Sequence, residues 1–153
     1  MTIDECRVAT QKHIESVRKY LRFFTDKLTT RGVNHDASKL EDFEAPYFAE
    51  HTEALSNTTY GSEEYLKQLE ELKPALDHHY AVNRHHPEHW PNGVNDMDLI
   101  DIVEMLCDWK ASSERTQNGN LLTSIEYNAK RFGLSDQLKQ ILLNTAKTLD
   151  SQD

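Results

Sequence analysis

Apolar residues in this chain recur at three- and four-residue spacing, and no strict alternation of β-branched residues interrupts them. That spacing is the period of an α-helix, so a sheet is not expected. Five Gly and four Pro among 153 residues leave little punctuation for tight turns. Ile14, Val17, Tyr20, Leu21, Phe24 and Leu28 form one stripe. The spacing predicts a first helix over about residues 3–30, stopped at Gly32, with His13 beside Ile14 on the inward side.

Ser38-Lys39-Leu40-Glu41 reads as a capping box that opens a second helix over about 38–50. Residues 51–61 are polar, and 57–61 read as a loop. A third helix starts near Ser62, with Tyr65, Leu66, Leu69 and Leu72 on its apolar side and Pro74 kinking or restarting it. Residues 84–97 read as a loop around Pro87, Pro91 and Gly93. Asn95 or Asp96 is expected to cap a helix over about 98–114 that buries Leu99, Ile102, Val103, Leu106 and Trp109. After a loop at 117–120, a helix over about 121–132 ends at Gly133. Ser135 caps the last helix, with Leu138, Ile141, Leu142, Thr145 and Leu149 inward. The expectation is one all-α domain of six or seven helices over residues 1–153.

Charge narrows the function. Seventeen Lys and Arg against 26 Asp and Glu leave a net charge of −9. Non-specific binding to a nucleic-acid backbone needs clustered positive charge and is not expected. A small phosphorylated ligand held through metal ions remains compatible. No apolar run approaches the ~20 residues of a membrane span, so no membrane partner is expected. The start of the chain carries Asp4, Glu5 and Arg7 and no apolar h-region, which points to a cytoplasmic protein. Cys6 and Cys107 are expected to be reduced and mostly buried.

Of eight His, five fall between His78 and His89. With His13, His35-Asp36, Asp101, Glu104 and Asp108 they supply imidazole and carboxylate from four segments. That donor mixture suits Mn, Fe, Co, Ni or Zn. Each residue taken singly also has a plainer reading. His13 fits a core histidine, Asp36 a helix cap, and residues 78–89 a solvated loop. His79 and His86 would share a helix face only if the helix continued that far, and Pro87 stops it. Asp101, Glu104 and Asp108 form an acidic stripe on a segment whose other positions are apolar almost all round. A helix of that kind is buried, and a buried carboxylate must be paired or bind a metal.

In this order the residues resemble the HD-domain superfamily of metal-dependent phosphohydrolases. Its pattern is a His on the first helix, an adjacent His-Asp, further His, then an Asp on a late helix. Here it falls on His13, His35-Asp36, residues 78–86 and Asp108. The stretches HDASK and HHPEHW with Gly93 are similar to segments of the HD-GYP cyclic-dinucleotide phosphodiesterases. Val94-Asn95 follows Gly93 where that family has Tyr-Pro, so cyclic-di-GMP is not carried over as substrate. HDASK, NRHHPEHW and EMLCDWK are also similar to a small phage and bacterial family associated with the superfamily.

The resemblance implies one or two divalent ions. His13, His35, Asp36 and Asp108 would hold one, and Asp36 would bridge to a second completed by His79 and His86, with His85 able to replace either. Lys39 would grip a phosphate oxygen, although an ordinary surface lysine reads the same way. Glu104 and Asp101 would orient histidine N–H groups. The implied activity is hydrolysis of a nucleotide or other small phosphoester by a metal-activated water. The same ligand set also belongs to mixed-valent di-iron oxygenases of this fold, and a non-catalytic metal-stabilised binding module is a third reading. Homo-oligomerisation is left open.

Overall fold

The computed structural model describes residues 1–57, 62–115 and 119–150. These residues are helical or irregular, with no strand among them. The expected all-α class is therefore the observed one. The chain divides into two compact units, Met1–Asn34 and His35–Asp153.

The first unit is one helix, α1 (Ile3–Asn34). Thr2 and Glu5 cap its start reciprocally: Glu5 N–H donates to Thr2 Oγ1 at 3.2 Å and Thr2 N–H donates to Glu5 Oε2 at 2.6 Å. Asp4 and Glu5 in the first turn and Arg31 in the last match the helix dipole. The helix runs through Gly32, where the sequence predicted its end. One helical glycine costs only about 1 kcal/mol relative to alanine. α1 buries none of its residues. Ile14, Val17, Tyr20, Leu21 and Phe24 are exposed, and so is His13. The expected inward stripe exists as a pattern, but a lone helix has nothing within its own unit to cover it.

The second unit begins with a 3-10 turn, Ala37–Leu40, followed by α2 (Ala45–Asn57) and α3 (Glu63–Val82). The expected capping box at Ser38 does not form, because Ser38 is buried and its hydroxyl is used elsewhere. α2 starts later than predicted and carries the helix past its expected end near residue 50, through the polar residues 51–56 to Asn57, the first position of the predicted loop. The rest of that predicted loop, 58–61, lies outside the described residues. Ser62 caps α3 by accepting from Tyr65 N–H at 3.1 Å. α3 continues through Pro74 without restarting and buries Leu72, Ala75 and His79, while Leu66 is exposed.

Two further 3-10 turns, Pro87–His89 and Gly93–Asp96, shape the segment before α4 (Leu99–Ser113). Asp98, rather than Asn95 or Asp96, caps α4: its carboxylate accepts from Ile100 and Asp101 N–H, and Asp101 Oδ2 accepts from Asp98 N–H. α5 (Leu121–Phe132) is capped by Asn120 and closed by Gly133 at φ 63°. That left-handed conformation is where glycine carries no Cβ penalty. α6 (Asp136–Asp150) follows. The predicted loop at 117–120 is described only from 119 onward.

The core lies among α4, α5 and α6. Met105, Leu106, Trp109, Leu121, Ile125, Leu142 and Ala146 form it. Trp109 stacks on Phe132 at 6.3 Å between ring centroids. On α6 the buried positions are Leu142 and Ala146, so Ile141, Thr145 and Leu149 face outward against expectation. On α4, Leu99, Val103 and Cys107 are exposed, while Asp101 and Glu104 are buried. The helix therefore spends one face on the α5–α6 core and another on carboxylates. Cys6 and Cys107 are both free and exposed, which corrects the expectation that they are mostly buried. No helix among the described residues is long and apolar enough to cross a membrane.

Candidate metal centre

Three chain segments of the second unit meet at this centre. The first carries His35 and Asp36. Asp36 is the only described non-glycine residue at positive φ, 54°. A left-handed aspartate is costly for an ordinary backbone and clusters at functional sites. The next residues form the Ala37–Leu40 turn, and Lys39 N–H donates back to Asp36 O at 2.9 Å. The second segment is the end of α3 and the turn after it, carrying His78, His79, His85 and His86. The third is α4, with Asp101, Glu104 and Asp108.

The imidazole Nε2 atoms point inward. Asp36 Oδ1 lies 3.2 Å from His79 Nε2 and 3.5 Å from His85 Nε2. His79 Nε2 and His86 Nε2 are 3.0 Å apart. His35 Nε2 lies 3.7 Å from both Asp36 Oδ2 and Asp108 Oδ1. Three overlapping groups have their donor atoms within 4.8 Å of one another: Asp36 with His79, His85 and His86; His35 with Asp36 and Asp108; and His35 with His85 and Glu104. These are the dimensions of a site that could hold a metal ion.

The outward nitrogens are held by carboxylates. Glu104 Oε1 accepts from His35 Nδ1 at 3.0 Å and faces His85 Nδ1 at 3.2 Å. Glu44 is fully buried and accepts from His79 Nδ1 at 3.0 Å and from His78 Nδ1 at 2.7 Å. A carboxylate on Nδ1 fixes the tautomer that leaves the Nε2 lone pair free for a cation. Ser38 Oγ is also 3.2 Å from His79 Nδ1, and Asn83 Nδ2 donates to that hydroxyl at 2.9 Å.

Two buried atoms in the centre have no hydrogen-bond partner, Asp36 Oδ1 and His85 Nε2. They face each other across 3.5 Å. Buried acceptors are almost always satisfied, so such a pair calls for an explanation. A cation between them supplies one, and the donor set fits a first-row transition metal.

The charges follow the same logic. The Asp108 carboxylate first, then Glu104, raises His35 to about 10 and holds it protonated in the metal-free site. Burial opposes ionisation of Asp36, yet His79 and Lys39 keep its carboxyl well below the usual range. Burial likewise works against Asp108 and Glu44, and His35 lowers the first while His78, Ser38 and His79 lower the second. His86 is pushed down to about 3, first by burial, then by His85 and His79, so it stays neutral.

The structure thus brings together His35, Asp36, His79, His85, His86, Asp108 and Glu104. His85, expected only to stand in for His79 or His86, belongs to two of the groups, one with Asp36, His79 and His86 and one with His35 and Glu104. α3 ends at Val82, so His79 and His86 converge through a turn and not along one helix face. His89 points elsewhere, its Nδ1 donating to Tyr80 O at 2.9 Å. Lys39 Nζ is not free beside the site: it pairs with Asp36 Oδ2 at 2.6 Å and lies 5.2 Å over the Phe48 ring. The sequence expectation gave Asp101 a histidine partner; its two oxygens instead receive Arg84 Nε at 3.2 Å and Nη2 at 3.1 Å. His13 belongs to the first unit, where it is exposed. Sequence reasoning missed Glu44, whose one signal is a charge set between Phe43 and Ala45.

No curated protein and no solved structure matches the chain. Residues 2–148 match the model of a family of unknown function, DUF5662. That match spans nearly the whole sequence, and the chain belongs to the DUF5662 family.

Proposed function

We propose that this chain is a metal-dependent phosphohydrolase of the HD type, acting on a nucleotide or other small phosphoester. The observation that carries the reading is the orphaned pair Asp36 Oδ1 and His85 Nε2, enclosed by further imidazoles. Leaving a buried polar atom unsatisfied costs about 1–3 kcal/mol, and one cation removes both penalties. His79, His85, His86 and Asp36 would hold one divalent ion, with His35, Asp36 and Asp108 as donors for a second. The HD resemblance adds His13. The donors suit Mn, Fe, Co, Ni or Zn. Bound ions of this kind acidify a water and neutralise charge developing on phosphorus.

The chain's own residues have separable parts in this reading. Glu104 and Glu44 keep the imidazoles in the tautomer that faces inward. Asp36, with one oxygen toward each donor group, ties the two together. Lys39 places a single positive charge beside Asp36, suited to one phosphate oxygen. The net charge of −9 favours a small anion held locally over a long polyanion. Free, exposed cysteines support a reducing, cytoplasmic setting.

The test is to purify the chain, measure bound metals, and screen nucleoside mono- and triphosphates and cyclic dinucleotides with Mn²⁺ added. Phosphate release that Asp36→Ala abolishes, with metal lost and helicity kept, is the expected result. Oxygen consumption by an iron-loaded protein would replace the reading with a di-iron oxygenase. Bound metal without turnover would leave a metal-stabilised binding module.

A further inference from the structure

The two donor groups that share Asp36 are not equivalent. Around Oδ1 two atoms are buried and unsatisfied. His79 and His85 are each 1 % exposed, and the orphaned Asp36 Oδ1 and His85 Nε2 both belong to this group. No fixed positive charge is bonded to Oδ1. Around Oδ2 every atom already has an ionic neighbour. Lys39 Nζ sits on Oδ2 at 2.6 Å, and His35 Nε2 lies between Oδ2 and Asp108 Oδ1.

Lys39 is poorly placed to move aside on its own. It stands three residues after Asp36 in the same 3-10 turn, and its backbone N–H is tied to Asp36 O. Its ammonium also lies over the Phe48 ring. A cation arriving at Oδ2 therefore meets an ammonium on the same oxygen. Like charges a few ångströms apart repel strongly in a partly buried site. A cation arriving at Oδ1 meets no ammonium on its own oxygen.

We propose that Lys39 is a built-in cation that makes the centre fill in order. The first ion enters at Asp36 Oδ1, His79, His85 and His86. The second enters at His35, Asp36 Oδ2 and Asp108, and only as Lys39 gives up Oδ2. This rests on the metal-binding part of the function proposed above and deepens it. It also gives Lys39 a use before any substrate arrives: it holds the carboxylate that joins the two groups in place while the second position is empty.

The experiment is a titration of the full-length chain, stripped with chelator, with Mn²⁺ alone. Calorimetry gives the affinities and elemental analysis gives the equivalents retained. The wild type is expected to bind one equivalent tightly and a second more weakly. Lys39→Met and Lys39→Gln should leave the first affinity nearly unchanged and tighten the second by about tenfold or more. His85→Ala should remove the tight equivalent. The proposal is overturned if neither Lys39 variant tightens the second equivalent. It is equally overturned if the tight equivalent survives His85→Ala and disappears in Asp108→Asn. Turnover does not enter these readouts, so ordered binding without phosphate release would defeat the hydrolase reading and leave this one standing.

Discussion

The Nε2 atoms of His79 and His86 stand 3.0 Å apart although the helix that carries His79 ends at Val82. The turn after α3 makes this contact. Asn83 ends the helix with its N–H on His79 O, and His86 N–H donates to Asn83 O at 3.3 Å. Two ring nitrogens held this close converge on one point of the centre. His86→Ala is therefore expected to lose one metal equivalent and most hydrolysis. His89→Ala should lose little, because its ring is spent on Tyr80 O. Metal content and phosphate release of the two variants, measured side by side, check this. Equal small losses would mean that the histidines from 78 to 89 act only as a loop.

Glu44 gives the second prediction. It touches no inward-facing nitrogen, yet it holds the Nδ1 atoms of both His78 and His79. Glu44→Gln removes the charge while keeping the shape. Metal affinity is expected to fall roughly 10–100-fold, the usual cost of losing a carboxylate behind a histidine ligand. The affinity for Mn²⁺ measured by titration decides it. An unchanged value would show that Ser38 alone is enough to set the His79 tautomer.

The contrast between Glu44 and Glu104 shows how far the sequence could be read. Glu104 was legible because α4 is periodic: its neighbours Met105, Leu106 and Trp109 are core residues, so a carboxylate among them had to be explained. Glu44 lies in a connection between a 3-10 turn and α2, where no period applies. The helices themselves were legible from spacing and caps, as at Asn120 and Gly133. Ser38 misled, since its pattern matches a capping box while its hydroxyl bonds a histidine 41 residues away. Arg84 and Asp101 could not be paired from sequence, because nothing local says which carboxylate a guanidinium will meet. Exposure on α1 and α6 was misjudged for a related reason. A stripe shows which face is apolar, not whether anything covers it.

The metal-free protein should have a stability maximum near pH 6.5. His35 has a folded pKa of about 10 against an ordinary 6.5, so its contribution is complete below about 6.5 and is lost as pH rises through about 10. Asp36, Asp108 and Glu44 are lowered, so their contributions are present above the ordinary carboxylate range and are lost as pH falls. His86 is lowered to about 3, so protonating it in acid favours the unfolded chain up to about pH 6.5. All the acid-side effects thus rise toward neutrality; from about pH 6.5 to 9 the loss belongs to His35, and at higher pH the raised Cys107 thiol and Tyr80 phenol add to it. Melting temperature against pH, in chelator, should show that maximum, and Asp108→Asn should flatten its alkaline side. A melting temperature still climbing between pH 7 and 9 would contradict the assignment of His35.

The last prediction concerns how the histidine turn is held to α4. Arg84 immediately precedes His85 and His86, and its guanidinium meets the fully buried Asp101 with two hydrogen bonds at 3.2 and 3.1 Å. It also stacks over Trp90 at 4.5 Å, and Trp90 Nε1 donates back to Arg84 O at 2.9 Å. Asp101 is anchored in turn by the capping box of α4. The clamp therefore joins the turn carrying His85 and His86 to the helix carrying Glu104 and Asp108. Arg84→Ala leaves a buried carboxylate short of its main partner, which is expected to cost about 1–3 kcal/mol. Arg84→Lys keeps the charge and loses the fork, so it should fall between the two. Urea unfolding of the metal-free protein measures the first effect. Mn²⁺ titration measures the second, a weakening of the His85–His86 position in the same order, alanine below lysine below wild type. If lysine serves as well as arginine in both assays, the two-pronged geometry is not what positions the turn.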